Sequence, residues 1–64
     1  MHITLLPQHK QIEIEGRRRG AEVLRQLDLL PGTVMVIRGD ELLTDREFIE
    51  ADEVVEIRNV ISGG

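Results

Sequence analysis

The chain has 64 residues, enough for one domain that buries only about 60% of the surface its unfolded form exposes, and too few for an enclosed active site with supporting layers behind it. It contains no cysteine, which excludes a disulfide framework, a cysteine-ligated zinc site and a thiol nucleophile. A net charge of −4 and a single aromatic, Phe48, argue against broad phosphate binding and base stacking, so no strong direct nucleic-acid binding is expected.

No apolar run approaches membrane-spanning length, and the N-terminus lacks a signal-peptide pattern, so a cytoplasmic protein without a membrane partner is expected. His2 and His9 have no further ligands at metal spacing, and no metal site is expected.

The first element, HITLLP (2–7), is a short β-branched and apolar run closed by Pro7. It predicts a strand with Ile3 and Leu5 facing inward. QIEIE (11–15) alternates strictly, Ile12 and Ile14 against Glu13 and Glu15, as a half-buried antiparallel strand does. The polar QHKQ between them makes the pair a hairpin. After GRRRG (16–20), Ala21, Val23, Leu24 and Leu27 fall at helical spacing, with Glu22 in the first turn where a negative charge suits the helix dipole. Pro31 predicts the end of that helix, about two to three turns long, and Pro31-Gly32 predicts a type II turn.

TVMVIR (33–38) is a continuous β-branched and apolar run, and it predicts a strand in the middle of a sheet. ELLT (41–44) predicts a further short strand. Thr44 and Glu47 are spaced as a capping box, which predicts one short helical turn through about Ile49, with Phe48 at the core edge. VVEIRNV (54–60) predicts the last strand, Val55 and Ile57 inward and Glu56 and Arg58 outward. The sum is an α+β roll with one helix across one face of a mixed sheet of four to five strands.

The chain ends Val60-Ile61-Ser62-Gly63-Gly64. Two terminal glycines add nothing to a core and lose the most entropy on ordering. They are read either as a frayed end or as a tail that enters a site too narrow for side chains.

The strand order, the VIRGDELLT hairpin, the EADEVVEIRNVISGG ending and the length resemble the ubiquitin-like β-grasp sulfur-carrier proteins of thiamine, molybdopterin and thiolated-tRNA synthesis. Many relatives have Asp-Gly-Asp-Glu before the final strand, where this chain has Ala51-Asp52-Glu53. The resemblance implies a β-grasp domain over 1–60 and a flexible Gly-Gly tail over 61–64. It implies that an E1-like adenylating enzyme, using ATP and magnesium, joins the Gly64 carboxylate to AMP, and that a persulfide donor converts it to a thiocarboxylate. The sulfur then passes to an acceptor enzyme, for tRNA 2-thiouridine or a cofactor precursor. The chain itself would be a carrier substrate with no bound cofactor and no catalytic residue. Ile61, Ser62, Gly63 and Gly64 would enter the partner's active site, Ile61 and Val60 meeting an apolar groove at its mouth.

With Met35 and Ile37 turned to the helix, as the family pattern implies, Val36 would lie on the open face of the sheet beside Arg58. Val36, Arg58 and Val60 are thus candidate docking residues, against the plain alternative of one exposed valine. Arg17-Arg18-Arg19 is read as solvated loop residues or as a contact to an acidic partner or tRNA. Two other functions stay open. One is a protein modifier joined through Gly64 to lysines of target proteins. The other is a non-covalent binding domain with an incidental tail.

Overall fold

The structure is a computed structural model and describes residues 1–60. The expected tail, 61–64, lies outside the described residues.

The strands are β1 (His2–Leu6), β2 (Lys10–Glu13), β3 (Arg18–Arg19), β4 (Val34–Arg38), β5 (Glu41–Leu43), β6 (Phe48–Ile49) and β7 (Val54–Asn59), and the helix α1 spans Gly20–Gln26. Five strands form a mixed sheet in the order β2-β1-β7-β4-β5. The β1–β7 pair is parallel and the other neighbours are antiparallel. β3 and β6 make a separate two-residue ladder. This is an α+β, β-grasp roll with one helix on one face.

Alternation builds the covered face. Ile3, Val36, Leu43, Val55 and Ile57 come from the sheet, Val23 and Leu24 from α1, and all are buried together with Met1, Ile14 and Ile49. Leu5 and Ile12 pack against this cluster as the hairpin pattern predicts. No charged or polar residue is buried among the described residues. The core therefore gains its stability from apolar area, at roughly 25 cal/mol per Å² removed from water.

The helix is shorter than its apolar periodicity suggests, because it ends in a hydrogen-bonded stop well before Pro31. Asp28 takes a left-handed conformation, φ 61°. Its N–H donates to the Arg25 carbonyl (3.1 Å) and the Leu29 N–H to the Leu24 carbonyl (2.8 Å). These are the paired bonds of a Schellman stop. Leu27 and Leu29 still pack against the core from outside the helix.

The expected helical turn over Thr44–Ile49 is absent. Glu47 N–H bonds the Thr44 carbonyl (3.2 Å) in a turn, and Phe48–Ile49 is strand, paired with Arg18–Arg19. The carbonyls of this loop instead cap α1: Asp45 accepts from Ala21 N–H (2.8 Å) and Glu47 from Gly20 N–H (2.9 Å). A Cβ on Gly20 would stand 3.2 Å from the Thr44 carbonyl oxygen, so glycine permits the close approach of helix and loop. Arg19 N–H completes the helix start by donating to Glu22 Oε1 (3.0 Å).

Two further expectations are corrected. The Leu30–Thr33 turn closes with Thr33 N–H on the Leu30 carbonyl (3.0 Å), but Gly32 is not among the glycines of positive φ. A type II turn needs positive φ there, so this turn is of another type. Val36 is only 5% exposed and lies in the core. It faces Ile57 across the β4–β7 ladder, which turns Met35 and Ile37, not Val36, to the open face.

Candidate functional site

The side of the sheet away from α1 is uncovered by any element among the described residues. Register sets its composition. Met35 lies opposite Arg58, which lies opposite Leu6 on the next strand. Ile37 lies opposite Glu56 on one side and Leu42 on the other. Residues directly opposite on neighbouring strands share a face. Leu6, Met35, Ile37 and Leu42 therefore form an apolar band with Arg58 and Glu56 between them. Leu42 is 61% exposed, and the Arg58 and Glu56 side chains meet at 3.6 Å. An apolar band crossed by an ion pair that stays in solvent is the make-up of a docking surface.

Of the candidate docking residues, Arg58 is on this face, Val60 is 44% exposed just beyond β7, and Val36 is beneath the sheet. Met35, Ile37 and Leu42 take the place assigned to Val36. The signal that finds them is the unambiguous alternation of VVEIRN, which fixes the face of β7 and, through pairing, that of β4. Ile61, Ser62, Gly63 and Gly64 lie outside the described residues.

The residue just past β7 is held to the residue just before β4. Val60 N–H donates to the Thr33 carbonyl (3.1 Å). Thr33 is itself held to the preceding turn by its N–H (3.0 Å) and by its hydroxyl (2.7 Å), both on the Leu30 carbonyl. Beside this anchor is a groove of about 310 Å³ lined by Leu5, Leu29, Leu30, Val34, Ile57 and Asn59 among others. Leu30 is 71% exposed at its rim.

The arginine cluster is engaged within the fold. The Arg17 and Arg19 guanidinium groups stand 3.8 and 4.6 Å from the Phe48 ring centroid, as cation–π contacts do. Arg17 also donates to Glu50 Oε2 (3.0 Å) and Arg18 to the Arg17 carbonyl (3.2 Å). Phe48 thus lies under arginines and is absent from the core cluster, where Ile49 takes the buried position.

A second polar cluster ties the β4–β5 turn to the loop before β7. Arg38 donates to Glu41 (2.8 Å) and Glu53 (3.1 Å). The Glu50 backbone N–H, donating to Glu53 Oε1 at 2.8 Å, holds the Glu53 carboxyl below the usual carboxylate range, against the effect of desolvation and with help from Arg38. The Asp52-Glu53 turn is therefore structural. No group of three His, Cys, Asp or Glu able to hold a metal occurs among the described residues. Among the described residues no helix is long and apolar enough to cross a membrane.

The chain is 42% identical over 65 aligned positions to the sulfur carrier protein TtuB of Thermus thermophilus, and the likeness covers 100% of both chains. No protein-family model matches it. With end-to-end likeness at this level and a β-grasp roll beneath it, the chain belongs to the ubiquitin-like β-grasp sulfur-carrier family.

Proposed function

We propose that the chain carries sulfur as a thiocarboxylate on Gly64. The observation that supports this reading most directly is the full-length likeness to a named sulfur carrier. The chemistry explains the tail. A carboxylate is a poor acyl donor because oxide leaves badly. Attack of the Gly64 carboxylate on the α-phosphorus of ATP, with loss of pyrophosphate, gives an acyl-adenylate whose leaving group is AMP. The terminal sulfur of a donor persulfide displaces AMP and forms an acyl disulfide. A second thiol reduces that disulfide, releasing the Gly64 thiocarboxylate and leaving the two thiol sulfurs joined. ATP, magnesium and the persulfide belong to the partners, and the chain acts as their substrate.

The chain's own contribution is binding and presentation. The band of Leu6, Met35, Ile37 and Leu42 around Arg58 docks an E1-like adenylating enzyme. Val60 and Ile61 meet the mouth of its channel, and Gly63-Gly64 thread where a Cβ would collide. The sulfur acceptor is an enzyme of tRNA 2-thiouridine synthesis, a reading supported by the chain length and the Ile-Ser-Gly-Gly ending.

The experiment is intact-protein mass spectrometry after incubation with an adenylating enzyme, ATP, magnesium and a persulfide source. Exchange of one oxygen for sulfur at Gly64 is the expected result. No exchange, with the enzyme active on another carrier, would remove the thiocarboxylate. A Gly-Gly remnant on lysines of other proteins instead would point to conjugation as the main outcome.

A further inference from the structure

We propose that Thr33 is a positioning residue for the tail: its carbonyl holds Val60, the last described residue, and its hydroxyl ties Thr33 to the preceding turn. This rests on the tail chemistry proposed above and adds the device that sets where the tail begins.

Three hydrogen bonds carry the inference. The Val60 N–H to Thr33 carbonyl bond, 3.1 Å, is the most C-terminal backbone bond among the described residues. It is the terminal rung of the β4–β7 ladder, next to the last register pair, Val34 with Asn59. Upstream of it, Thr33 is fixed twice to one acceptor, by N–H (3.0 Å) and by Oγ1–H (2.7 Å) on the Leu30 carbonyl. A backbone N–H bond alone leaves the peptide plane free to rock. Adding the hydroxyl to the same oxygen ties the Thr33 side chain as well as its N–H to the turn. The residue whose carbonyl receives Val60 is thereby held against the Leu30–Thr33 turn.

The consequence for transfer is geometric. Four residues follow Val60 in the sequence. A carboxylate at the end of so short an arm reaches a fixed reaction centre only if the arm starts at a fixed place, and misplacement by about 1 Å costs on the order of a hundredfold in rate. Fraying of the Val60 bond moves the start of the arm back toward Asn59. The docking band on the open face is untouched by such fraying and only Val60 at the channel mouth is displaced, so turnover should fall by more than affinity does.

The test compares Thr33→Val, which keeps the shape and removes the hydroxyl, with Thr33→Ser, which restores it. In hydrogen exchange followed by NMR, the Val60 amide of Thr33→Val should exchange roughly five- to tenfold faster, as expected for loss of one supporting hydrogen bond. Thr33→Ser should stay close to the wild type. In ATP–pyrophosphate exchange by an adenylating enzyme that accepts the wild-type chain, Thr33→Val should lower kcat severalfold with a smaller change in KM, and Thr33→Ser should recover it. Unchanged Val60 exchange in Thr33→Val would overturn the inference, as would faster exchange with unchanged kcat. A rise in KM alone would make Thr33 a direct contact and also overturn it. If no enzyme accepts the wild-type chain, it is the proposed function that fails. The Val60 exchange then still decides whether Thr33 holds the base of the tail.

Discussion

Val36 lies directly opposite Ile57 in the antiparallel β4–β7 pair, and both side chains are buried against α1. The pair couples β7 to β4, its neighbour in the sheet. Val36→Ala leaves a cavity in a small core and should cost about 2 kcal/mol, or roughly 8–16 °C in Tm for a domain of this size. Thermal unfolding followed by circular dichroism measures it. The same substitution should leave partner affinity unchanged below the new Tm, because Val36 touches nothing outside the core. A stability change under 0.5 kcal/mol would mean that Val36 is on the surface after all.

The segment between α1 and β4 carries two backbone positions whose best residues are exchanged. Asp28 is left-handed, φ 61°, where a Cβ is disfavoured. Gly32 has no positive φ, and a Cβ there would meet nothing within 4 Å. Asp28→Gly should stabilise by about 0.5–1 kcal/mol through relief of the left-handed conformation. Gly32→Ala should stabilise by about 0.4–1 kcal/mol by narrowing the unfolded ensemble. Urea unfolding should show both as a higher midpoint at unchanged m. A lower midpoint for Gly32→Ala would place that residue in a conformation other than the one described.

Glu53 makes stability depend on acid. Its folded pKa is below its ordinary value of 4.5, chiefly because the Glu50 N–H bonds the ionised form. A depressed carboxyl contributes stability that is fully present above the unfolded pKa and is lost as pH falls through the folded one. Wild-type stability should therefore decline below about pH 4.5, where the unfolded chain takes up this proton first. Glu53→Gln should be less stable than the wild type at neutral pH, and the difference should shrink as the pH is lowered past that range. Unfolding curves at a series of pH values measure it, and a difference constant with pH would show that Glu53 titrates normally.

Most of the fold is legible in the sequence where side chains alternate. Ile12 and Ile14 against Glu13 and Glu15, and Val55 and Ile57 against Glu56 and Arg58, state both a strand and its face. The family resemblance then supplies their order. Legibility fails where alternation is missing. In TVMVIR every residue from Val34 to Ile37 is apolar, so the run announces a strand and is silent on which face is covered; only pairing with β7 decides, and it puts Val36 inside. The Thr44–Glu47 pattern fails for another reason. Its side chains fit a capping box of their own, but its carbonyls cap α1 across the fold. A tertiary bond to a distant helix has no signature in a local window. Of the site, the tail residues and Arg58 are named by sequence. Met35, Ile37 and Leu42 depend on the register, and Thr33 on hydrogen bonds that only coordinates reveal.

The open face should be separable from the fold by mutation. Ile37 and Arg58 lie on adjoining strands with side chains directed away from α1, so charge changes there do not touch the core. Arg58→Glu should keep the Tm within a few degrees of the wild type, since surface substitutions usually stay within about 0.5 kcal/mol. Ile37 is half-buried and opposite Glu56, so Ile37→Asp should lower the Tm by several degrees and leave the chain folded at the assay temperature. Each should raise KM for the adenylating enzyme about tenfold, as loss of a central interface contact does, while kcat changes little. Lys10→Ala, at the far edge of the sheet on β2, should change neither constant. ATP–pyrophosphate exchange at varied carrier concentration measures all three. Equal KM values for Ile37→Asp, Lys10→Ala and the wild type would mean that the enzyme grips the chain elsewhere. The exposed Leu30 rim beside the tail base would then be the next surface to vary. A raised KM for Ile37→Asp alone would make the interface apolar in its energetics, with Arg58 at its solvated edge.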